Sequence, residues 1–145
     1  MDQNVIVVDN FLDKPDLVRH IALGLDYTHI QKSVPGRRSS VALVGDLFDE
    51  IDSKFQKIFN SKIKWFWDND TFHCQSCEED TDTWVHVDEC TEWAAVLYLT
   101  PSPEIESGTG MYHKDDDGEW EMNIAVGNVY NRLIHIEGNR CIIGV

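Results

Sequence analysis

Read for its alternation of apolar and polar positions, the chain opens on a short apolar run, Val5 to Val8, that predicts a strand over 4–8. Asp13 follows as a helix cap, with Pro15 tolerated in the first turn, and Leu17, Val18, Ile21, Ala22 and Leu25 then recur at helical spacing. That predicts a helix of about three turns ending near Gly24 and packing by one face. Residues 33–40, with Pro35-Gly36 and the double arginine Arg37-Arg38, read as a surface loop. A second helix is predicted to open at Asp46, with Asp49 and Glu50 suiting its positive end and Phe48, Ile51, Phe55, Ile58 and Phe59 on its buried face.

After Asn60 the character changes to aromatic and β-branched residues broken by turn clusters, which predicts strands at about 62–67, 72–78, 83–88, 94–99, 110–113 and 128–136. Residues 78–82 and 115–118 read as acidic loops, and 100–109 as a loop with two prolines. Two helices ahead of many short strands predict an α+β domain in which the helices buttress one face of a β-sandwich or barrel.

A length of 145 residues fits a single domain, 1–145. The net charge of −14 would repel a phosphate backbone or an anionic bilayer, so nucleic acid and membrane surfaces are excluded as partners. Met1-Asp2-Gln3-Asn4 has no cationic start and 5–8 is too short for a signal peptide or a span, which leads to the expectation of a cytoplasmic protein. Cys74, Cys77, Cys90 and Cys141 are then expected as free thiols.

The candidate chemistry lies in Trp84-Val85-His86-Val87-Asp88. Strand alternation puts His86 and Asp88 on one face and Val85 and Val87 on the other. An imidazole and a carboxylate so spaced supply two of the three ligands of the two-histidine, one-carboxylate triad that holds non-haem iron(II). A polar pair on a strand face is the plain alternative. Cys74-Gln-Ser-Cys77 with His86 and Cys90 offers a structural zinc site instead, although Cys74 and Cys77 would face opposite ways in a continuous strand.

The run from Trp84 to Glu89, then Trp93-Ala94-Ala95-Val96-Leu97-Tyr98-Leu99-Thr100-Pro101, then Ser107 to Lys114, then Asn128-Val129-Tyr130-Asn131-Arg132-Leu133-Ile134, resembles the 2-oxoglutarate- and iron(II)-dependent dioxygenase superfamily, in a prolyl-hydroxylase-like branch of marine phages and bacteria. Val8 to Leu12, Pro15 to Arg19 and Pro35 to Ser39 look like that branch as well. The resemblance implies a double-stranded β-helix, or jelly roll. It also implies His86 and Asp88 as iron ligands at its mouth, and iron(II) and 2-oxoglutarate as cofactors. Tyr98, on the central strand, is a candidate contact for the co-substrate, with a core tyrosine whose hydroxyl is satisfied as the favoured alternative. The substrate it implies is a protein side chain or a small molecule.

The family's distal histidine falls at about Ile142, where the sequence reads Arg140-Cys141-Ile142-Ile143-Gly144-Val145, with neither that histidine nor the basic residue that follows it and grips 2-oxoglutarate. His135 is the nearest substitute as third metal ligand, although it falls one strand before the expected site, and a histidine on a sheet face is the favoured alternative. His113, before an acidic loop, ranks below it and reads as a surface residue. Trp84 is expected to pack. These departures give the expectation of a C-terminally truncated oxygenase domain, with a non-catalytic jelly-roll binding module as the alternative. An unpaired strand edge would then lead to a homodimer or a loose C-terminal segment.

Overall fold

The computed structural model describes residues 4–28, 36–39, 45–65, 75–76, 85–87, 91–137 and 142–144. In chain order the elements are β1 (Val5–Val8), α1 (Pro15–Leu23), β2 (Arg37–Arg38), α2 (Asp46–Phe59), β3 (Gln75–Ser76), β4 (His86–Val87), β5 (Trp93–Leu97), a single 3-10 turn (Ile105–Ser107), β6 (Thr109–Lys114), β7 (Trp120–Val126), β8 (Leu133–Glu137) and β9 (Ile142–Gly144). Among the described residues the chain is α+β, with two helices and small, open antiparallel sheets. Among the described residues no helix is long and apolar enough to cross a membrane. Two compact units divide it: Met1–Pro15 with Thr83–Val145, and Asp16–Asp82.

The unit of Asp16–Asp82 holds the helices. α1 buries Val18 and Ala22, one turn apart, while Leu17 and Ile21 stay exposed, so its buried stripe is narrower than the apolar spacing predicts. α2 begins at Asp46 as expected and ends at Phe59; the next residue, Asn60, has a left-handed φ of 48°, which turns the Ser61 N–H back to the Gln56 carbonyl at 3.2 Å. The strand predicted over 62–67 is absent from its described part, which is irregular. Trp65 folds back onto α2 instead, stacking on Phe55 at 5.2 Å and meeting Phe48 edge-on at 5.4 Å. Its indole N–H donates to Asp52 Oδ1 at 2.7 Å. An aromatic segment therefore caps a helix face, because ring packing and a satisfied indole outweigh strand propensity. Arg37 and Arg38 form a strand, not a loop, pairing with Ser76 and Gln75.

The other unit is built from two sheets, of strand order β1-β8-β5 and β4-β9-β6-β7. Their shared core is Met111 from β6, Val126 from β7, and Ile134 and Ile136 from β8, with Val5, Tyr98 and Ile124 packed against it. Each such aliphatic side chain taken from water contributes roughly 1.5–3 kcal/mol. The strand predicted over 128–136 starts only at Leu133, since Asn131 takes a left-handed φ of 60° and turns the chain. Besides β2, two strands of this unit were not anticipated, β7 and β9.

The β6–β7 hairpin turns on Asp115, whose Oδ1 accepts from the N–H groups of Asp117 at 2.9 Å and Glu119 at 2.8 Å, so this acidic loop is an ordered turn. The hairpin's register shifts between Met111 and Tyr112. Met111 pairs with Ile124 and Tyr112 with Met122, which leaves Asn123 as an extra residue on β7. Because alternation on β6 is unbroken, Thr109, Met111 and His113 share the core face, and Gly110, Tyr112 and Lys114 the outer one. The bulge thus moves Trp120 and Met122 outward and turns Glu121 to the His113 side.

Candidate metal-binding site

His86 sits on β4 opposite Ile143 of β9, and Ile143 sits opposite Met111 of β6. Residues directly opposite one another in an antiparallel ladder share a face. His86 is therefore in the row of Met111, on the face that carries the core, and it is half-buried there. Asp88, the second ligand expected from the sequence, lies outside the described residues, as do Trp84 and Cys74, Cys77 and Cys90 of the zinc alternative. Ile142 stands opposite Val87, so the strand in which the resemblance expects a distal histidine is the one that pairs with His86.

Tyr98 follows β5 and packs against the core. Its N–H donates to the Arg132 carbonyl at 3.0 Å and its carbonyl accepts from Asn131 N–H at 2.8 Å, which fixes the ring's origin. Its hydroxyl shares a short hydrogen bond with Thr109 Oγ1 across the two sheets. Burial raises the phenol above its ordinary value, while the Thr109 bond and the Arg132 charge pull the other way. Thr109, a buried residue that sequence reasoning did not single out, thus joins Tyr98 on the core face.

His135 occupies the middle of β8 between Ile6 and Ala95 and is buried. Its neighbours Ile134 and Ile136 belong to the core, so alternation turns His135 to the other face of that sheet. His86 and His135 are therefore not brought together: the β1-β8-β5 layer lies between their faces. Burial lowers the His135 imidazole to about 4, which keeps it neutral near pH 7.

His113, read from the sequence as a surface residue, faces the same side as Met111. Its Nε2 is 3.6 Å from Glu121 Oε2, and its Nδ1 is buried. Among the described residues no three His, Cys, Asp or Glu side chains converge as a metal-ligand group.

Comparison with known proteins finds no matching family model, no matching curated protein and no matching solved structure.

Proposed function

We propose that this chain is a jelly-roll oxygenase of the 2-oxoglutarate- and iron(II)-dependent type, with His86 and Asp88 as metal ligands and Tyr98 beside the co-substrate. The observation that carries this reading is the way the chain alternates between two sheets from β4 onward while His86 stays on the core face. β4, β6, β7 and β9 belong to one sheet, and β5 and β8, which come between them in sequence, to the other. Such alternation is what a double-sheet jelly roll requires.

The donors fit iron in part. His86 offers an imidazole nitrogen and Asp88 a carboxylate, but Ile142, Ile143 and Gly144 bring no donor side chain. Two protein ligands hold a divalent ion weakly. Iron with 2-oxoglutarate supplies oxygen activation and hydroxylation of a substrate C–H bond as the keto acid is decarboxylated. This chain's own contribution is narrower. His86 would bind through an imidazole nitrogen, the Tyr98–Thr109 pair presents hydroxyls on the core face, and Met111, Val126 and Ile134 keep water from that face.

The lack of a donor opposite His86 favours a second reading, a non-catalytic binding module of the same fold. Residue-resolved manganese(II) titration by NMR, together with an iron(II)-dependent 2-oxoglutarate turnover assay, tests both. The oxygenase reading expects line broadening centred on residues near His86, lost in His86→Ala, and measurable turnover. Broadening at His86 with no turnover at any iron concentration leaves the binding module. If His86→Ala changes nothing around residues 85–87, the site itself is rejected.

A further inference from the structure

We propose a second divalent-metal site, on the β6–β7 hairpin, in which His113 Nε2 and Glu121 Oε2 together chelate a zinc-class cation. It is independent of His86 and does not rest on the oxygenase reading.

Two observations lead to it. His113 and Glu121 are directly opposite one another in the ladder, so their side chains rise from the same face of adjacent strands. Their facing atoms are 3.6 Å apart. Two donors each about 2.1 Å from a tetrahedral ion stand about 3.4 Å apart, so an ion fits between them with only a small side-chain adjustment. That spacing is longer than a hydrogen bond, and the two groups form an ion pair only when the ring is charged, so a cation competes there with a proton.

Access and chemistry agree with this. His113 Nδ1 is buried, and Nε2 is the ring nitrogen that faces Glu121. Glu121 is 68 % exposed and His113 38 %, which leaves room for water in the remaining coordination positions. Lys114, next to His113 in the chain, is on the outer face, with its ammonium 5.0 Å from the Trp120 ring centre. The net charge of −14 raises the local concentration of cations.

The bulge is what assembles the pair. With strict alternation along Trp120–Val126, Glu121 would point outward and Trp120 and Met122 would line the core face with Ile124 and Val126. The extra residue Asn123 reverses the faces beyond it and brings the carboxylate across from the imidazole. An imidazole and a carboxylate suit zinc and its neighbours in the transition series better than calcium or magnesium, which take all-oxygen sites.

The test is a zinc(II) titration of the intact chain followed by long-range nitrogen–proton NMR of the histidine rings. The expected result is saturable movement of the His113 signals, with Nε2 showing the coordinated shift. His113→Ala and Glu121→Gln should each weaken that binding at least tenfold, while His86→Ala leaves it unchanged. Because Glu121 is so exposed, Glu121→Gln should leave the fold intact, which an unaltered spectrum of the core would verify. Two results would overturn the proposal: His113 signals that zinc does not move, or a Glu121→Gln protein that binds as tightly as the parent, which would reduce the site to a lone surface histidine. Magnesium at the same concentrations should not move these signals, and an equal response to magnesium would overturn the assignment to a zinc-class ion.

Discussion

The side-chain amide of Asn131 takes both backbone hydrogen bonds of Leu12, donating from Nδ2 to the Leu12 carbonyl at 3.0 Å and accepting the Leu12 N–H on Oδ1 at 2.9 Å. It stands in for a strand that the N-terminal segment lacks after β1. The Asn131 carbonyl also accepts from Phe11 N–H at 3.0 Å, and both Phe11 and Leu12 are buried. Asparagine suits the position twice over, because it tolerates the left-handed backbone and its short amide reaches the neighbouring chain. Asn131→Ala should cost about 3 kcal/mol, from two lost bonds and two buried backbone groups left unpaired. Urea unfolding checks this. A loss below about 1 kcal/mol would mean that water or a rearranged chain replaces the amide.

His135 makes stability depend on pH. Its folded value lies near 4 against an ordinary 6.5, so between those limits the unfolded chain takes up a proton that the folded chain refuses. Stability is unaffected by this group above about pH 6.5 and falls as pH drops toward 4, by about 3 kcal/mol in all. His135→Asn removes the titration and should flatten that part of the profile. Denaturation midpoints at half-unit steps from pH 7.5 to 4 would show it, and parallel profiles for parent and variant would reject the assignment.

Arg132 holds Asp9 in a two-point ion pair, Nε to Oδ1 at 2.6 Å and Nη2 to Oδ2 at 3.0 Å, and spends its other nitrogen on the Gly127 carbonyl at 3.0 Å. The Arg132 hydrogen bond lowers the Asp9 carboxyl below its ordinary value. Its contribution is thus present at neutral pH and is lost as pH falls through that lowered value. Asp9 is half exposed, so the pair stabilises by only roughly 1 kcal/mol. Arg132→Lys should lose most of this, because an ammonium cannot keep the planar fork. A double-mutant cycle with Asp9→Asn measures the coupling.

Gly108 and Gly118 separate crowding from backbone strain. A Cβ on Gly108 would stand 2.0 Å from the Val126 carbonyl oxygen, so Gly108→Ala must push β7 away and should cost 3 kcal/mol or more, about the upper end for overpacking. Gly118 has open space but a φ of +84°, and Gly118→Ala should cost about 1 kcal/mol. Thermal melts of the two variants should differ clearly in midpoint. Equal losses would show that the backbone near Gly108 yields.

Ile143→His tests the register beside His86. It sets an imidazole directly across the ladder from His86, on the same face, and should raise affinity for nickel(II) or zinc(II) at that site at least tenfold, read in a His113→Ala background. No gain would show that the two positions do not share a face.

What the sequence determined by itself is what short-range chemistry controls. β1, the start of α1, all of α2, β5 and β6 are legible in the spacing of apolar residues and in their caps, because each depends on neighbours within a turn or on simple alternation. The face shared by His86 with the core could be anticipated only as a pairing with Asp88, since alternation fixes relative direction and not which side holds the core. Tertiary structure decided the rest. Trp120, Met122, Ile124 and Val126 alternate along the chain as if on one face, yet the bulge at Asn123 splits them, a shift that arises only when β7 is laid against β6. Trp65 left its predicted strand for the face of α2, and β9 took strand geometry by pairing with both β4 and β6. His135 turned away from His86 because Ile134 and Ile136 claim the core side of β8. In each case the outcome depends on a partner distant in sequence, and the energy gained from that partner's packing or hydrogen bonds exceeds the tenths of a kcal/mol by which local propensities differ.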